Sequence, residues 1–330
     1  MNISGIDYDL PVSVDVMCYV YNHGEYLRQA LDGMLMQETT FPVRIVIHDD
    51  ASTDNSAEII KEYTAAYPDR FIAVFEEENV YKFHNCTAWR KMFPYLTAKY
   101  TAYCEGDDYW TEKNKLQKQV DYLEANPDCF AVYHNILPVD SFSQYDESLR
   151  GCYVVLDEGD YSKKELKQFK LKTQTASLVR RNYNPLFSEE DKDFFCSVKC
   201  TGDAKNLILC GILGRVHYLP DAMAAHRRVT DGGDSWSADY ARKTRQEIIM
   251  TRHGEYMEKC RFYEHFSGKK IYPYNQIITD RIQFFRESHK PGKTEFEKVP
   301  FFAYIIYLPE FVGKSIRFVF KKVRGMSSGK

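Results

Sequence analysis

Two short acidic runs hold the residues of this sequence best suited to chemistry. The first is Glu105-Gly106-Asp107-Asp108, three carboxylates within four residues. Hard oxygen donors this close suit Mg²⁺ or Mn²⁺, which take one or two protein carboxylates and leave the rest of the shell to water or phosphate oxygens. Gly106 would give the backbone freedom to turn between them. A solvated acidic loop has the same composition, so the run decides nothing alone. The second is Asp49-Asp50-Ala51-Ser52-Thr53-Asp54. Asp49 and Asp50 close an apolar run, where a carboxylate can accept a hydrogen bond from a base imide or a ribose hydroxyl. Ser52, Thr53 and Asp54 are helix-capping types, and capping accounts for those three. A polar pair, Tyr21 and Asn22, closes a third apolar run.

The elements that would position these groups are legible from periodicity. A β-rich run at Ser13 to Tyr19 precedes an amphipathic helix with Leu27, Ala30, Leu31, Met34 and Leu35 on one face. Phe41 to His48 reads as a second strand, followed by a helix through Ile59, Ile60 and Tyr63 to about Tyr67. A strand at Phe71 to Phe75, a short helix from Cys86 to Phe93 stopped by Pro94, and a strand at Tyr100 to Cys104 come next. A helix rich in Lys and Gln runs from about Thr111 to Ala125, then a strand from Phe130 to His134. This alternation predicts an α/β fold: a mostly parallel, Rossmann-like sheet with helices on both faces. Tyr21 and Asn22, Asp49 and Asp50, and Glu105 to Asp108 all fall at strand ends, so they converge on the crevice where open α/β sheets bind ligands. Beyond 135 the pattern is looser, with apolar periodicity returning at Ala204 to Ile212 and a largely helical segment from Glu247 to about Phe285.

With 330 residues and 44% hydrophobic content, the chain can bury a large core. A net charge of -3 with mixed signs argues against a broad nucleic-acid surface. Nine cysteines without CxxC spacing read as reduced thiols rather than a disulfide framework or zinc site. The opening residues lack a basic and an apolar signal region, so a cytoplasmic location is expected. The stretch from Val299 to Gly325 is apolar and aromatic, is broken by Pro309, and carries Lys314, Arg317, Lys321, Lys322 and Arg324. A spanning helix is not expected from so interrupted a run. It reads either as a peripheral anchor on the inner, anionic leaflet or as a helix docked on the core.

Taken in order, SVDVMCYVYNHGEYLRQALDGMLMQ, RIVIHDDASTDNSAEII, YTAYCEGDDYWTEKNKLQKQV and KCTGDAKNLILCGILGRVHYLPDAMAAHRRVTDGGDSWS resemble the family 2 inverting glycosyltransferases of GT-A fold, of the bacterial surface-polysaccharide type. The likeness covers about residues 11 to 238. It implies a transferase domain at 1–240, with a nucleotide-sugar half at about 1–135 and an acceptor half at 136–240. A helical extension would follow at 241–298 and the basic aromatic tail at 299–330. It implies transfer from a nucleoside diphosphate sugar, with UDP as carrier, to a saccharide acceptor that is lipid-linked. Tyr21 and Asn22 would lie at the nucleobase, Asp50 would read it beside Asp49, and Asp107 and Asp108 would hold Mn²⁺ or Mg²⁺. Glu105 stands where the family usually has Asp, one methylene longer. Asp203 matches the catalytic base, with helix capping as its alternative. His226 matches a metal-binding place, Arg227 and Arg228 diphosphate contacts, and Trp236 an acceptor-sugar contact. A nucleotidyltransferase would carry a Gly-rich basic loop in its first turn, and YNHGEY is not one. A non-catalytic nucleotide-sugar binding module would have no need of a base at Asp203.

Overall fold

The computed structural model describes residues 7, 9–81, 86–147, 157–169, 174–228 and 242–288. The tail at 299–330 therefore lies outside the described residues. Nine strands and nine helices follow one another among those described. They are β1 (Val14–Val20), α1 (Leu27–Leu35), β2 (Val43–Asp49), α2 (Ser56–Ala66), β3 (Phe71–Phe75), α3 (Thr87–Met92), β4 (Tyr100–Tyr103), β5 (Tyr109–Trp110) and α4 (Lys115–Ala125). Then come β6 (Cys129–Val139), β7 (Gly159–Asp160), α5 (Lys163–Lys167), β8 (Val179–Arg181), α6 (Glu189–Ser197), α7 (Gly202–Leu213), β9 (Arg215–Arg227), α8 (Arg245–Ser267) and α9 (Tyr274–Ser288).

The strands form one sheet in the order β3-β2-β1-β4-β8-β6-β9-β5, with β7 pairing β9. From β3 to β4 every pairing is parallel, as the alternation of strands and helices requires. Past β4 the sheet is mixed: β8 runs antiparallel to both β4 and β6, while β6 and β9 are parallel. That change begins where the strand-helix alternation stops being regular in the sequence.

The period-2 geometry of a strand sends alternate residues of β1 to opposite faces. Val14, Val16, Cys18 and Val20 face a core closed by Leu27, Ala30, Leu31 and Met34 of α1, Ile59 and Ile60 of α2, and Leu116, Val120 and Leu123 of α4. Met17 faces the other core, closed by Trp89 and Met92 of α3, Phe195 of α6, Leu207 and Ile208 of α7, and Phe262 and Phe266 of α8. A fully buried aliphatic side chain contributes roughly 1.5–3 kcal/mol, so both layers are needed to hold the central strands. Helix α8 therefore belongs to the second core, with Phe194 and Phe262 stacked and Phe187 beside Phe266. Helix α9 docks on α8 through the buried pair His253 Nδ1 and Asp280, 2.9 Å apart.

The Lys- and Gln-rich helix α4 is not a simple solvated face. Lys115 and Gln119 are fully buried. Lys115 Nζ donates to Gln119 Oε1 at 2.9 Å and lies 4.2 Å from the centre of the Trp110 ring. Burial lowers this lysine to about 7. Gln119 Nε2 donates to the carbonyls of Val132 and Ser177, both at 2.8 Å.

Helix α1 lies directly on β5 through Gly33, where a Cβ would stand 2.9 Å from the Trp110 carbonyl oxygen and 3.0 Å from its nitrogen. Alanine is the better helix former by about 1 kcal/mol, but overpacking against backbone costs typically about 1–3 kcal/mol. Gly33→Ala should therefore lower stability, read as a lower urea midpoint. A raised midpoint would mean that helix propensity outweighs the contact.

Candidate active site

The carboxyl ends of β1, β2 and β4 are laced together by backbone. Asp50 N–H donates to the Val20 carbonyl at 2.9 Å, and Gly106 N–H to the Tyr19 carbonyl at 3.0 Å. The loop after β1 and the loop after β2 are then joined by side chains. Asn22 N–H donates to Ser52 Oγ at 2.9 Å, Thr53 N–H to Asn22 Oδ1 at 2.7 Å, His23 N–H to Ser56 Oγ at 3.0 Å and Gly24 N–H to Asp54 Oδ2 at 2.8 Å. Ser52 and Thr53 thus bind across to the neighbouring loop rather than cap α2, whose N-cap residue, Asn55, makes no side-chain cap bond. Asp54 does both jobs, since its Oδ1 also accepts from Ser56 N–H at 2.9 Å. Asn22 and Ala51 hold left-handed backbone at φ 55° and 57°. Such conformations are sparsely populated for residues with a Cβ, and the cross-loop bonds are what hold them.

Asp50 is buried, and its carboxylate accepts Val80 N–H at 2.7 Å and Tyr81 N–H at 3.1 Å. Asp49 Oδ2 accepts Ser52 N–H at 3.3 Å, while its Oδ1 is buried with no hydrogen-bond partner. Tyr21 is half-buried at the end of β1.

The acidic run after β4 splits in two. Asp108 points inward: it is 2% exposed and its Oδ1 accepts Arg227 N–H at 2.9 Å. Burial, with the charges of Asp107 and Glu105, raises its carboxyl well above the ordinary range, against the pull of Arg227. Glu105 and Asp107 stay half-buried. Asp107 has His23 Nε2 at 3.9 Å. The turn between them needs Gly106 for closeness rather than for backbone freedom, because a Cβ there would stand 2.8 Å from His23 Nδ1 and 3.0 Å from a Val20 methyl.

Asp203 enters from the far half of the chain. It lies in the first turn of α7, whose cap is Thr201, with Oγ1 accepting Ala204 N–H at 3.4 Å. The capping alternative for Asp203 therefore falls away. Its Oδ1 accepts instead from the Thr175 hydroxyl. Thr175 starts a short turn, Thr175–Ser177, that is pinned from below: Trp110 Nε1 donates to the Ala176 carbonyl at 3.0 Å, and Gln119 holds Ser177. Burial raises the Asp203 carboxyl, partly offset by the Thr175 hydroxyl. Burial, and then the charges of Asp107 and Asp203, push Glu105 up to about 8.

The cationic candidates divide as well. Arg227 is buried and committed to the wall. Its Nε donates to the Asp107 carbonyl at 2.9 Å, one terminal nitrogen to the Asp140 and Ser141 carbonyls at 3.3 and 3.1 Å and to Ser143 Oγ at 2.9 Å, and the other to Gln29 Oε1 at 2.8 Å. Its guanidinium also lies 4.3 Å from the Tyr26 ring centre. A fork so occupied braces the site, and the geometry does not bring it forward for a diphosphate. Arg228 is half-buried beside it. His226 is lowered by burial, with Asp107 opposing and Arg228 assisting. Trp236 lies outside the described residues.

Among the described residues no three His, Cys, Asp or Glu side chains are grouped to hold a metal ion. The donor set nonetheless fits Mg²⁺ or Mn²⁺, which need only one or two protein carboxylates. Glu105 and Asp107 would supply them, and a cation would offset both the burial and the neighbouring charge that raise Glu105. Asp108 fits poorly as a ligand because its Oδ1 is already bound to Arg227.

The family model for Glycosyl transferase family 2 matches residues 15–186, more than half of the chain. The chain belongs to glycosyl transferase family 2. The match spans β1 to the loop after β8 and includes every site residue named above except Asp203 and those on β9 and beyond. This family 2 chain is 41% identical to an uncharacterized protein of Mycobacterium tuberculosis over 123 residues, 37% of this chain and 35% of that protein. It is 28% identical to Bacillus subtilis TuaG, provisionally named a teichuronic acid biosynthesis glycosyltransferase, over 159 residues, 43% of this chain and 61% of that protein. The chain thus spans about a third of the length of the mycobacterial relative. Among solved structures, S. aureus TarS aligns at 15% identity and TM-score 0.50, over 84% of this chain and 49% of that one. The likeness supports the shared α/β fold of GT-A type.

His23, Thr175 and Gln29 are site residues that periodicity did not flag. His23 was visible in YNHGEY, but only the approach of Gly106 shows what it faces. A pH effect follows from Glu105. Its folded value near 8 lies above the ordinary 4.5, so between these the folded state keeps a proton that the unfolded state has released, and stability falls as pH rises. With chelator present, wild type should lose stability relative to Glu105→Gln as pH goes from about 4.5 to about 8. Parallel urea-midpoint curves for the two proteins would contradict this.

Proposed function

We propose that this family 2 glycosyltransferase moves a sugar from a UDP-sugar to a hydroxyl of a saccharide acceptor, with inversion at the anomeric carbon. The observation that supports the reading is that Glu105, raised first by burial, also feels the charges of Asp107 beside it and of Asp203 from a distant part of the chain. Residues 1–240 would form the transferase, with 241–298 as its helical buttress.

Asp203 is the proposed base. An ordinary carboxylate is a weak base, and burial makes this one stronger by raising its pKa. Thr175 fixes one of its oxygens and leaves the other to accept the acceptor hydroxyl's proton. In one in-line displacement the acceptor oxygen bonds to the anomeric carbon, the bond to the diphosphate oxygen breaks on the opposite face, and the proton goes to Asp203. Attack opposite the leaving group is what inverts the configuration. Tyr21 and Asn22 flank the base, with Asp49 and Asp50 behind them. The lone pairs of Asp50 not used by Val80 and Tyr81 stay open to a base imide. Arg228 is the proposed diphosphate contact. A Mn²⁺ or Mg²⁺ ion bound at Asp107, with Glu105 or His226 beside it, would offset the negative charge of the departing diphosphate.

A lipid-linked acceptor in surface-polysaccharide synthesis, at the inner face of the plasma membrane, completes the proposal. It is supported by the basic, aromatic composition of 299–325 and by the name of the B. subtilis relative. No helix among the described residues is long and apolar enough to cross a membrane.

Asp203→Asn should reduce transfer by about 10²–10⁴-fold, the usual contribution of a positioned base, with thermal unfolding unchanged. Asp107→Asn should abolish the stabilisation that Mn²⁺ with a nucleotide sugar gives wild type in a thermal-shift panel. Near-normal turnover by Asp203→Asn would remove it as base. Deleting 299–330 should release the protein from anionic vesicles, and unchanged co-sedimentation would remove the membrane reading.

A further inference from the structure

On the face of the sheet covered by α3, α6 and α7, a second reactive cluster lies apart from the carboxylates. Lys205 is 3% exposed and has no carboxylate partner among the described residues. Its Nζ donates to the Phe195 carbonyl at 2.7 Å and reaches Cys86 Sγ at 3.5 Å. A buried cation is costly without an anion, and the Cys86 sulfur is the group in place to provide one. Cys86 holds left-handed backbone at φ 56° immediately before α3. Trp89 of α3 stacks on Phe195 of α6 at 4.3 Å, which packs the helix that follows Cys86 against the helix that carries Cys196. The same Lys205 Nζ that reaches Cys86 Sγ donates to the carbonyl of Phe195, the residue bonded to Cys196, so the two cysteines are neighbours. Both sulfurs belong to half-buried residues, and both cysteines are free.

The cluster's electrostatics set Cys86 apart. The hydrogen bond from Cys196, with Lys205 and Arg90 nearby, outweighs burial and brings Cys86 down to about 6. Burial instead pushes Cys200 up to about 11 and Cys210 up to about 12. A thiolate is the nucleophilic form, so these thiols differ in reactivity by site.

We propose that Cys86 and Cys196 form a peroxide-sensitive thiol pair, with Cys86 the attacking sulfur and Cys196 the resolving one. The Cys86 thiolate attacks one oxygen of hydrogen peroxide. An S–O bond forms, the O–O bond breaks and hydroxide leaves, giving the sulfenic acid. The Cys196 sulfur then attacks that sulfur: the S–S bond forms, the S–O bond breaks, and the hydroxyl leaves with the Cys196 proton as water. Two thiols are oxidised and one peroxide is reduced to two waters. The product ties the start of α3 to α6, beside the helix that carries Asp203, and its formation does not depend on the transferase chemistry proposed above.

The test uses the full chain. Brief alkylation with iodoacetamide at pH 7 and peptide mapping should label Cys86 roughly tenfold or more faster than Cys200. One equivalent of hydrogen peroxide should yield a peptide joined through Cys86 and Cys196 that dithiothreitol separates. In Cys196→Ser, peroxide should leave a dimedone-reactive sulfenic acid at Cys86 instead. Labelling of Cys86 no faster than Cys200, or peroxide treatment that produces no Cys86–Cys196 link, would overturn the proposal.

Discussion

The structure turns on the burial of carboxylates at the strand ends, where Glu105 also feels the charges of Asp107 and Asp203. Glu105 and Asp107 come from the loop after β4, and Asp203 from the first turn of α7. Burial first, and then the charges of Asp107 and Asp203, raise Glu105 to about 8, so this carboxyl holds its proton where a solvated one would release it. The molecule holds these groups with rigid anchors on each side. Asp108 and Arg227 fasten the acidic loop to β9, backbone to side chain in one direction and side chain to backbone in the other. The turn bearing Thr175 is fixed by Trp110 and Gln119, so Asp203 is held by a partner that cannot retreat.

These anchors explain several costs elsewhere in the fold. Arg227, Lys115 and Gln119 are buried polar groups, expensive unless satisfied; Arg227 and Gln119 make hydrogen bonds that fix a loop or turn, and Lys115 holds Gln119 within α4. The left-handed residues Asn22 and Ala51 sit where the first two loops are laced together. Left-handed backbone and buried polar groups are thus present at the carboxyl ends of the strands, while the two hydrophobic layers on either side of β1 supply the stability that tolerates them.

Much of this was legible in the sequence. Alternating apolar runs gave β1 to β4 and the helices between them, because parallel strands covered on both faces leave a strong local signal. The strand-end polar clusters converged as expected from the topology. Side-chain direction was harder to read. Asp107 and Asp108 are neighbours of the same type, yet one borders the crevice and the other turns into the wall, and only the partner on β9, 119 residues further on, decides between them. Arg227 reads as a phosphate fork until its carbonyl partners at 140 and 141 are seen. Ser52 and Thr53 have capping composition but bind across loops, a choice fixed by Asn22 some thirty residues earlier. Thr175 lies in a stretch without periodicity, so nothing local marked it.

Carbon-13 titration of the side-chain carboxyls is the most direct measurement of whether these groups share one crevice. Glu105 should titrate near 8 in the metal-free protein, and its midpoint should fall in both Asp107→Asn and Asp203→Asn, since each substitution removes one of the charges that raise it. A Glu105 midpoint that is indifferent to Asp203→Asn would contradict the account, because the two halves of the chain would then not meet there.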